Sequence, residues 1–156
     1  MTDKKYCYRY EDGNDSEGRP VVRLLKRVII RETEKTFWHV YNMPRMDLEQ
    51  LTKYWTTGPK ESVKRNVKRC AKGAYRSSYH YTQEEALRAF VYRKSFQLER
   101  VQLTAETVRL CLQGLRAEGL VTGGNHCTVE RLPTGDVFLA AQEAGPIASS
   151  YSWGEY

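Results

Sequence analysis

Six cations, Lys64, Arg65, Lys68, Arg69, Lys72 and Arg76, fall within thirteen residues and run into Tyr79-His80-Tyr81. Read as a helix, this stretch stacks Lys64, Lys68 and Lys72 at i, i+4 and i+8, with Arg65 and Arg69 beside them. Like charges at that spacing repel mildly, so the ladder gives the isolated chain no stability. It suits contact with phosphates or with an acidic protein surface. Tyr75, Tyr79 and Tyr81 stand close enough in sequence to stack on bases. The structural alternative is a solvated face whose aliphatic stems cover the core.

The remaining reactive side chains form no recognised constellation. There are three histidines (His39, His80, His126) and four cysteines (Cys7, Cys70, Cys111, Cys127). No C-x-x-C pair occurs, and His126-Cys127 has no spacing to Cys70 or Cys111 that would give a zinc site its four ligands. A Ser or Cys nucleophile needs a base within hydrogen-bond reach, and the sequence brings none to one. Gly123-Gly124 lacks a P-loop lysine. The acids Glu84 and Glu85 are explained by a helix start. The expectation is a chain without catalysis, cofactor or metal.

Charge is distributed unevenly along the 156 residues: net −1 over 1–19, +4 over 20–45, +5 over 46–82, +1 over 83–120 and −3 over 121–156. The basic middle points to nucleic acid or an acidic partner. No leader-like segment opens the chain and no run approaches the ~18 apolar residues of a membrane span, so a cytoplasmic protein with free thiols is expected.

The elements that must position these residues follow from periodicity. Tyr6, Tyr8 and Tyr10 alternate with Cys7 and Arg9, reading as a half-buried strand. Glu11 to Pro20 reads as a loop, Val21 to Ile30 as a long strand bulged near Lys26-Arg27, and Phe37 to Tyr41 as a third strand. Met46 to Trp55 spaces its apolar residues for a short helix beginning near Asp47, stopped by Thr56-Thr57-Gly58-Pro59. From Ser62 to Ser78, helical spacing of Val63, Val67 and Cys70 competes with an edge strand from Ala74 onward.

Thr82 and Glu85 make a capping box for a helix predicted over 83–118, and Gly119 sits where a left-handed residue ends it. Leu87, Val91, Lys94, Leu98, Val101, Ala105, Val108, Leu112 and Leu115 follow 4-3-4-3 spacing, a heptad seam with one charged member. Such a helix runs about 54 Å at 1.5 Å per residue. It must pair with a second copy, wrap past the sheet, or break near Leu103-Thr104. A homodimer would use Val101, Val108, Leu112 and Leu115. Thr128 to Leu132 and Val137 to Ala141 predict a hairpin, and 143–156 a flexible aromatic tail.

Two segments carry a family resemblance. Arg31-Glu32-Thr33-Glu34-Lys35-Thr36-Phe37-Trp38-His39-Val40, and later Tyr81-Thr82-Gln83-Glu84-Glu85-Ala86-Leu87 with Phe90-Val91-Tyr92-Arg93-Lys94, resemble a group of small accessory proteins of tailed phages and prophages. The similarity spans about residues 6–100; the segment 44–60 and everything after Gly119 depart from it. It implies a phage accessory protein made in the host cytoplasm, of the class that modifies or blocks host machinery, including defence systems. A second, local resemblance runs from Leu103 through Val121 into the hairpin and is similar to the recognition helix and wing of winged-helix regulators. It implies that Thr104 caps a helix whose Thr107 and Arg109 face DNA.

The fold expected is α+β: an N-terminal antiparallel sheet of three or four strands, a short helix, one long helix and a C-terminal β-hairpin. The domain plan is 1–120, with 121–142 as a hairpin appendage. The function expected is non-catalytic binding of a host protein complex or nucleic acid through Lys64, Arg65, Lys68, Arg69, Lys72, Arg76 and Tyr79. A winged-helix-like DNA regulator using 104–141 is the alternative.

Overall fold

The computed structural model describes residues 3–74 and 76–142. Four antiparallel strands, β1 (Lys5–Asn14), β2 (Pro20–Glu32), β3 (Thr36–Tyr41) and β4 (Lys68–Ala71), pair in the order β1-β2-β3-β4. Helices α1 (Leu48–Thr56) and α2 (Lys60–Asn66) lie between β3 and β4, and α3 (Gln83–Ala117) follows. Two short strands, β5 (Val121–Thr122) and β6 (Thr128–Val129), close a hairpin. The architecture is α+β. The chain folds as two compact units, Met1–Arg93 and Lys94–Tyr156, whose boundary falls within α3.

The first hairpin is longer than its polar sequence predicts. Glu11 to Asn14 keep pairing, opposite Arg23 to Pro20. Strand arms that extend beyond the core need no apolar side chain; Val22 and Leu24 on the opposing arm are themselves exposed. The turn shrinks to Asp15–Arg19. There the Asp15 carboxylate accepts from the backbone N–H groups of Glu17 and Arg19, each at 2.9 Å, and Gly18 takes a φ of 79°.

Each face of the sheet carries a buried cluster. On one, Cys7, Ile29, Phe37, Cys70 and Tyr79 form a buried cluster. On the other, Val28 and Val40 pack with Leu51 of α1, flanked by Tyr6, Met46, Leu48 and Trp55. The tyrosines of β1 are half-buried and the residue sealed completely is Cys7, so the strand is not one-sided as its alternation suggests. α1 begins as predicted: Asp47 accepts from Gln50 N–H at 2.8 Å while the Gln50 side chain returns a bond to Asp47 N–H. That reciprocal cap holds the apolar stripe of α1 against the sheet.

After β4 the chain crosses back toward β1. Lys72 N–H donates to Lys35 C=O at 2.9 Å, and His80 exchanges backbone hydrogen bonds with Tyr8 at 2.8 and 2.9 Å. This strap brings Tyr79 over His39, ring centroids 4.4 Å apart, and Tyr81 over Phe37 at 5.0 Å. Ordered caps then bound α3. Thr82 Oγ1 accepts from Glu85 N–H at 3.1 Å. At the far end Gly119 takes φ 67°, Gly119 N–H bonds Arg116 C=O and Leu120 N–H bonds Leu115 C=O, a Schellman closure.

The inward face of the first turns of α3 is not the seam. Ala86 and Ala89 are buried and Arg93 donates to Tyr10 C=O at 2.8 Å, while Leu87 and Val91 are exposed. Small residues on that face allow close backbone approach, which Leu and Val would block. The hairpin also differs from expectation: β5 and β6 are two residues each and pair Val121 with Val129, whereas 133–141 forms no strand.

His39 is 1% exposed, and burial, then the charges of Arg27 and Lys68, pull its imidazole from 6.5 down to about 4. An unfolded chain takes up that proton as pH drops through about 6.5, but the folded chain does so only near 4. The stability tied to a neutral His39 is therefore complete above about pH 6.5 and lost on acidification toward 4, up to about 3 kcal/mol. Urea midpoints should fall between pH 7 and 4.5, and His39→Phe should make the fall shallower, leaving the part due to His80, which burial also shifts down. Equal slopes for the two proteins would disprove this account.

Candidate functional site

The pairing of β2 with β3 shifts register between Ile29 and Arg31. Before the shift Ile29 faces His39; after it Arg31 faces Trp38 and Glu32 faces Phe37. Ile30 is the extra residue, a β-bulge, not Lys26-Arg27 as the sequence suggested. The bulge carries Arg31 to the face of the sheet that holds Trp38. Trp38 in turn pairs with Arg69 of β4. A row Arg31–Trp38–Arg69 thus crosses three strands, with the two guanidinium carbons 4.6 and 5.7 Å from the indole centroid. These are cation–π distances.

Beside this row lies a groove of about 630 Å³. Trp38, Val63 and Val67 give it an apolar floor, and Lys60, Lys64 and Arg69 give it a basic rim. None of its lining residues is acidic. The turn Thr57-Gly58-Pro59 sets the far wall: Gly58 takes φ 129° and Pro59 precedes α2, whose Val63 N–H returns to Pro59 C=O at 3.1 Å. Lys64 and Arg65 occupy the last turn of α2, where cations suit the helix dipole.

Glu32 is on the opposite face, and its carboxylate is shared. Lys5 Nζ donates to it at 2.6 Å, Tyr81 Oη at 2.7 Å and Lys72 Nζ at 3.5 Å. Those bonds, Lys5 first and Tyr81 second, hold the carboxyl down at about 2. Burial and then this carboxylate push the Tyr81 phenol up.

The predicted ladder does not assemble as a helix. α2 stops at Asn66 and Lys68–Ala71 pairs with β3, because Cys70 opposite Phe37 completes the buried cluster. Lys64 and Arg69 reach the groove. Arg65 is exposed on α2, and Lys68 pairs with His39 on the face away from Trp38. Lys72 is engaged by Glu32, and Arg76 is exposed in the strap. Tyr79 is 6% exposed, with its ring 5.1 Å from the Arg27 guanidinium, so it offers no surface for stacking. Tyr75 lies outside the described residues. Arg31, Trp38 and Lys60 are the residues that sequence reasoning missed; pairing across the 33–36 turn was the signal for the first two.

Val101, Val108 and Leu112 are exposed and Leu115 is half-buried. The winged-helix layout lacks its separate recognition helix, since α3 runs unbroken through 104. Thr104 caps nothing: its hydroxyl donates to Arg100 C=O at 2.9 Å inside the helix. Arg109 is held by Glu106 at 2.6 Å and by Gln113 at 2.9 Å.

The nearest approach to reactive chemistry is a buried pair, Cys70 Sγ and His39 Nε2, at 3.3 Å. Both residues are at most 4% exposed, so no substrate reaches them. Among the described residues no group of three His, Cys, Asp or Glu could hold a metal ion, and no helix is long and apolar enough to cross a membrane. No family model, curated protein or solved structure matches this chain.

Burial, with Cys70 close by, pushes the Cys7 thiol up to about 12. A thiol-specific reagent should therefore modify Cys111 and Cys127, which are exposed, at once and leave Cys7 and Cys70 untouched until the protein unfolds. Rapid modification of all four cysteines in the native protein would mean that the His39–Cys70 pair is open to solvent.

Proposed function

We propose that this chain is a non-catalytic binding protein that occupies a host target through the basic groove, and that the target it takes is single-stranded nucleic acid. The observation that carries this reading is the Arg31–Trp38–Arg69 row beside a groove without acidic lining. Guanidinium and ammonium groups neutralise a phosphodiester backbone, and flat aromatic or guanidinium surfaces accept unpaired bases. The resemblance to phage accessory proteins supports the host as the place where that target is met, and interference with host nucleic-acid machinery or defence as the outcome.

An acidic protein surface would use the cations but would have less need of an indole between two guanidinium groups. Duplex DNA keeps its bases stacked, leaving Trp38 nothing to stack on. The groove, a few side chains wide, suits one strand.

Fluorescence anisotropy with labelled single-stranded oligonucleotides should show binding that weakens steeply with salt. Trp38→Ala should cost about tenfold or more in affinity, since stacking contributes about 1–3 kcal/mol per base. Arg31→Ala, Arg69→Ala and Lys64→Ala should each lower the salt slope by about 0.7 for a single-strand phosphate contact. Lys68→Ala, on the other face, should change little. Binding to poly-glutamate peptides but not to oligonucleotides, or equal loss from Lys68→Ala and Arg69→Ala, would overturn the proposal.

A further inference from the structure

The second unit carries an apolar surface that the groove does not use. Along α3 from Lys94 onward, apolar side chains form two stripes on opposite sides. Phe96, Leu103 and Leu110 lie seven residues apart and are half-buried. In line with them, Gly114 is buried so close to Ala140 that a Cβ at 114 would strike the Ala140 carbonyl. Ala140, beyond the hairpin, lies against that side at Gly114. The other stripe is Leu98, Val101, Ala105, Val108, Leu112 and Leu115, and it stays largely open: Leu98 is 57% exposed, Val108 52% and Leu112 45%.

The open stripe keeps 3-4 spacing without a slip, which fits knobs-into-holes packing against another helix of the same repeat. Its flanks matter equally. The positions beside the seam are Gln97, Gln102, Thr104, Arg109, Cys111 and Arg116. None is acidic, and Arg109 is already neutralised by Glu106 of its own helix. Flanking charge of one sign selects a partner of the other sign, whereas these flanks are mostly neutral and accept a copy of themselves. Ala105, at the middle of the stripe, leaves room for close approach of two helix axes.

We propose that α3 pairs with α3 of a second copy of this chain through Leu98, Val101, Ala105, Val108, Leu112 and Leu115, making the protein a homodimer. The pairing is independent of what the groove binds. It gives each assembly two grooves, so a strand long enough to engage both is held by avidity.

Sedimentation equilibrium of the full chain, from micromolar to millimolar concentration, should give twice the chain mass. Val108→Asp and Leu112→Asp should each shift the protein to the monomer mass with an unchanged helical circular dichroism signal, because both side chains are exposed within one copy. Tagged and untagged copies mixed after brief dilution should co-purify, and the Asp variants should not. A monomer at every concentration overturns the proposal. So does a dimer indifferent to both substitutions. A full chain that is monomeric but dimerises once 143–156 are removed would assign the stripe to the chain's own tail and overturn it as well.

Discussion

One inserted residue in β2 governs the electrostatics of the sheet. In an unbroken strand, side chains alternate, so Arg31 would lie on the same face as Ile29, among the buried residues that include Phe37 and Cys70, and Glu32 would lie beside Trp38. The bulge at Ile30 reverses both assignments. Arg31 reaches the indole, and Glu32 goes to the face where Lys5, Lys72 and Tyr81 surround it. A carboxylate next to Trp38 would pair with Arg69 and cancel the positive field of the groove. Moving it to the other side leaves that field intact while supplying a counter-charge where two lysines need one.

The two faces then do different work. The Glu32 side is closed by the strap, and its interior is dry enough to hold His39 neutral and Cys7 protonated. Arg27 is tolerated there because its guanidinium lies 3.9 Å from the Tyr41 ring and 5.1 Å from the Tyr79 ring. Aromatic faces replace part of the hydration such a cation loses. The Trp38 side is divided: α1 covers the end near Val28 and Val40, and the end near Arg69 is left open as the groove. The strap therefore covers the sheet over Phe37 and Cys70, while the groove opens on the other face beside Trp38.

The sequence is most legible where the physics is local. The reciprocal cap at Asp47 and Gln50, the Thr82 cap and the left-handed Gly119 each depend on a few adjacent residues. Signals that depend on distant pairing were harder. Val63, Val67 and Cys70 satisfy helical spacing, yet Cys70 gains more by completing the cluster with Phe37, and the chain turns from α2 to β4 between them. That choice put Lys68 beside His39 and Lys72 beside Glu32, and of the six ladder cations Lys64 and Arg69 line the groove. The bulge is equally non-local: nothing in Val28-Ile29-Ile30-Arg31 marks Ile30 as the extra residue until β3 is laid beside it.

The long helix shows how a correct period can still mislead about what is covered. Its 3-4 seam begins at Leu87 and Val91, both exposed. Over the first turns the inward positions are Ala86, Ala89 and Arg93, and farther along Gly114 meets Ala140. Small residues mark these approaches, because a helix axis can come near other backbone only where side chains are short. Large apolar residues at regular spacing say that a face is built for packing; the small ones say where this chain does its own packing. Leu98, Val108 and Leu112 fall on the first kind of surface and not the second. A helix with two opposed apolar stripes has little net amphipathicity, and where one stripe is turned toward the chain's own backbone the other faces water.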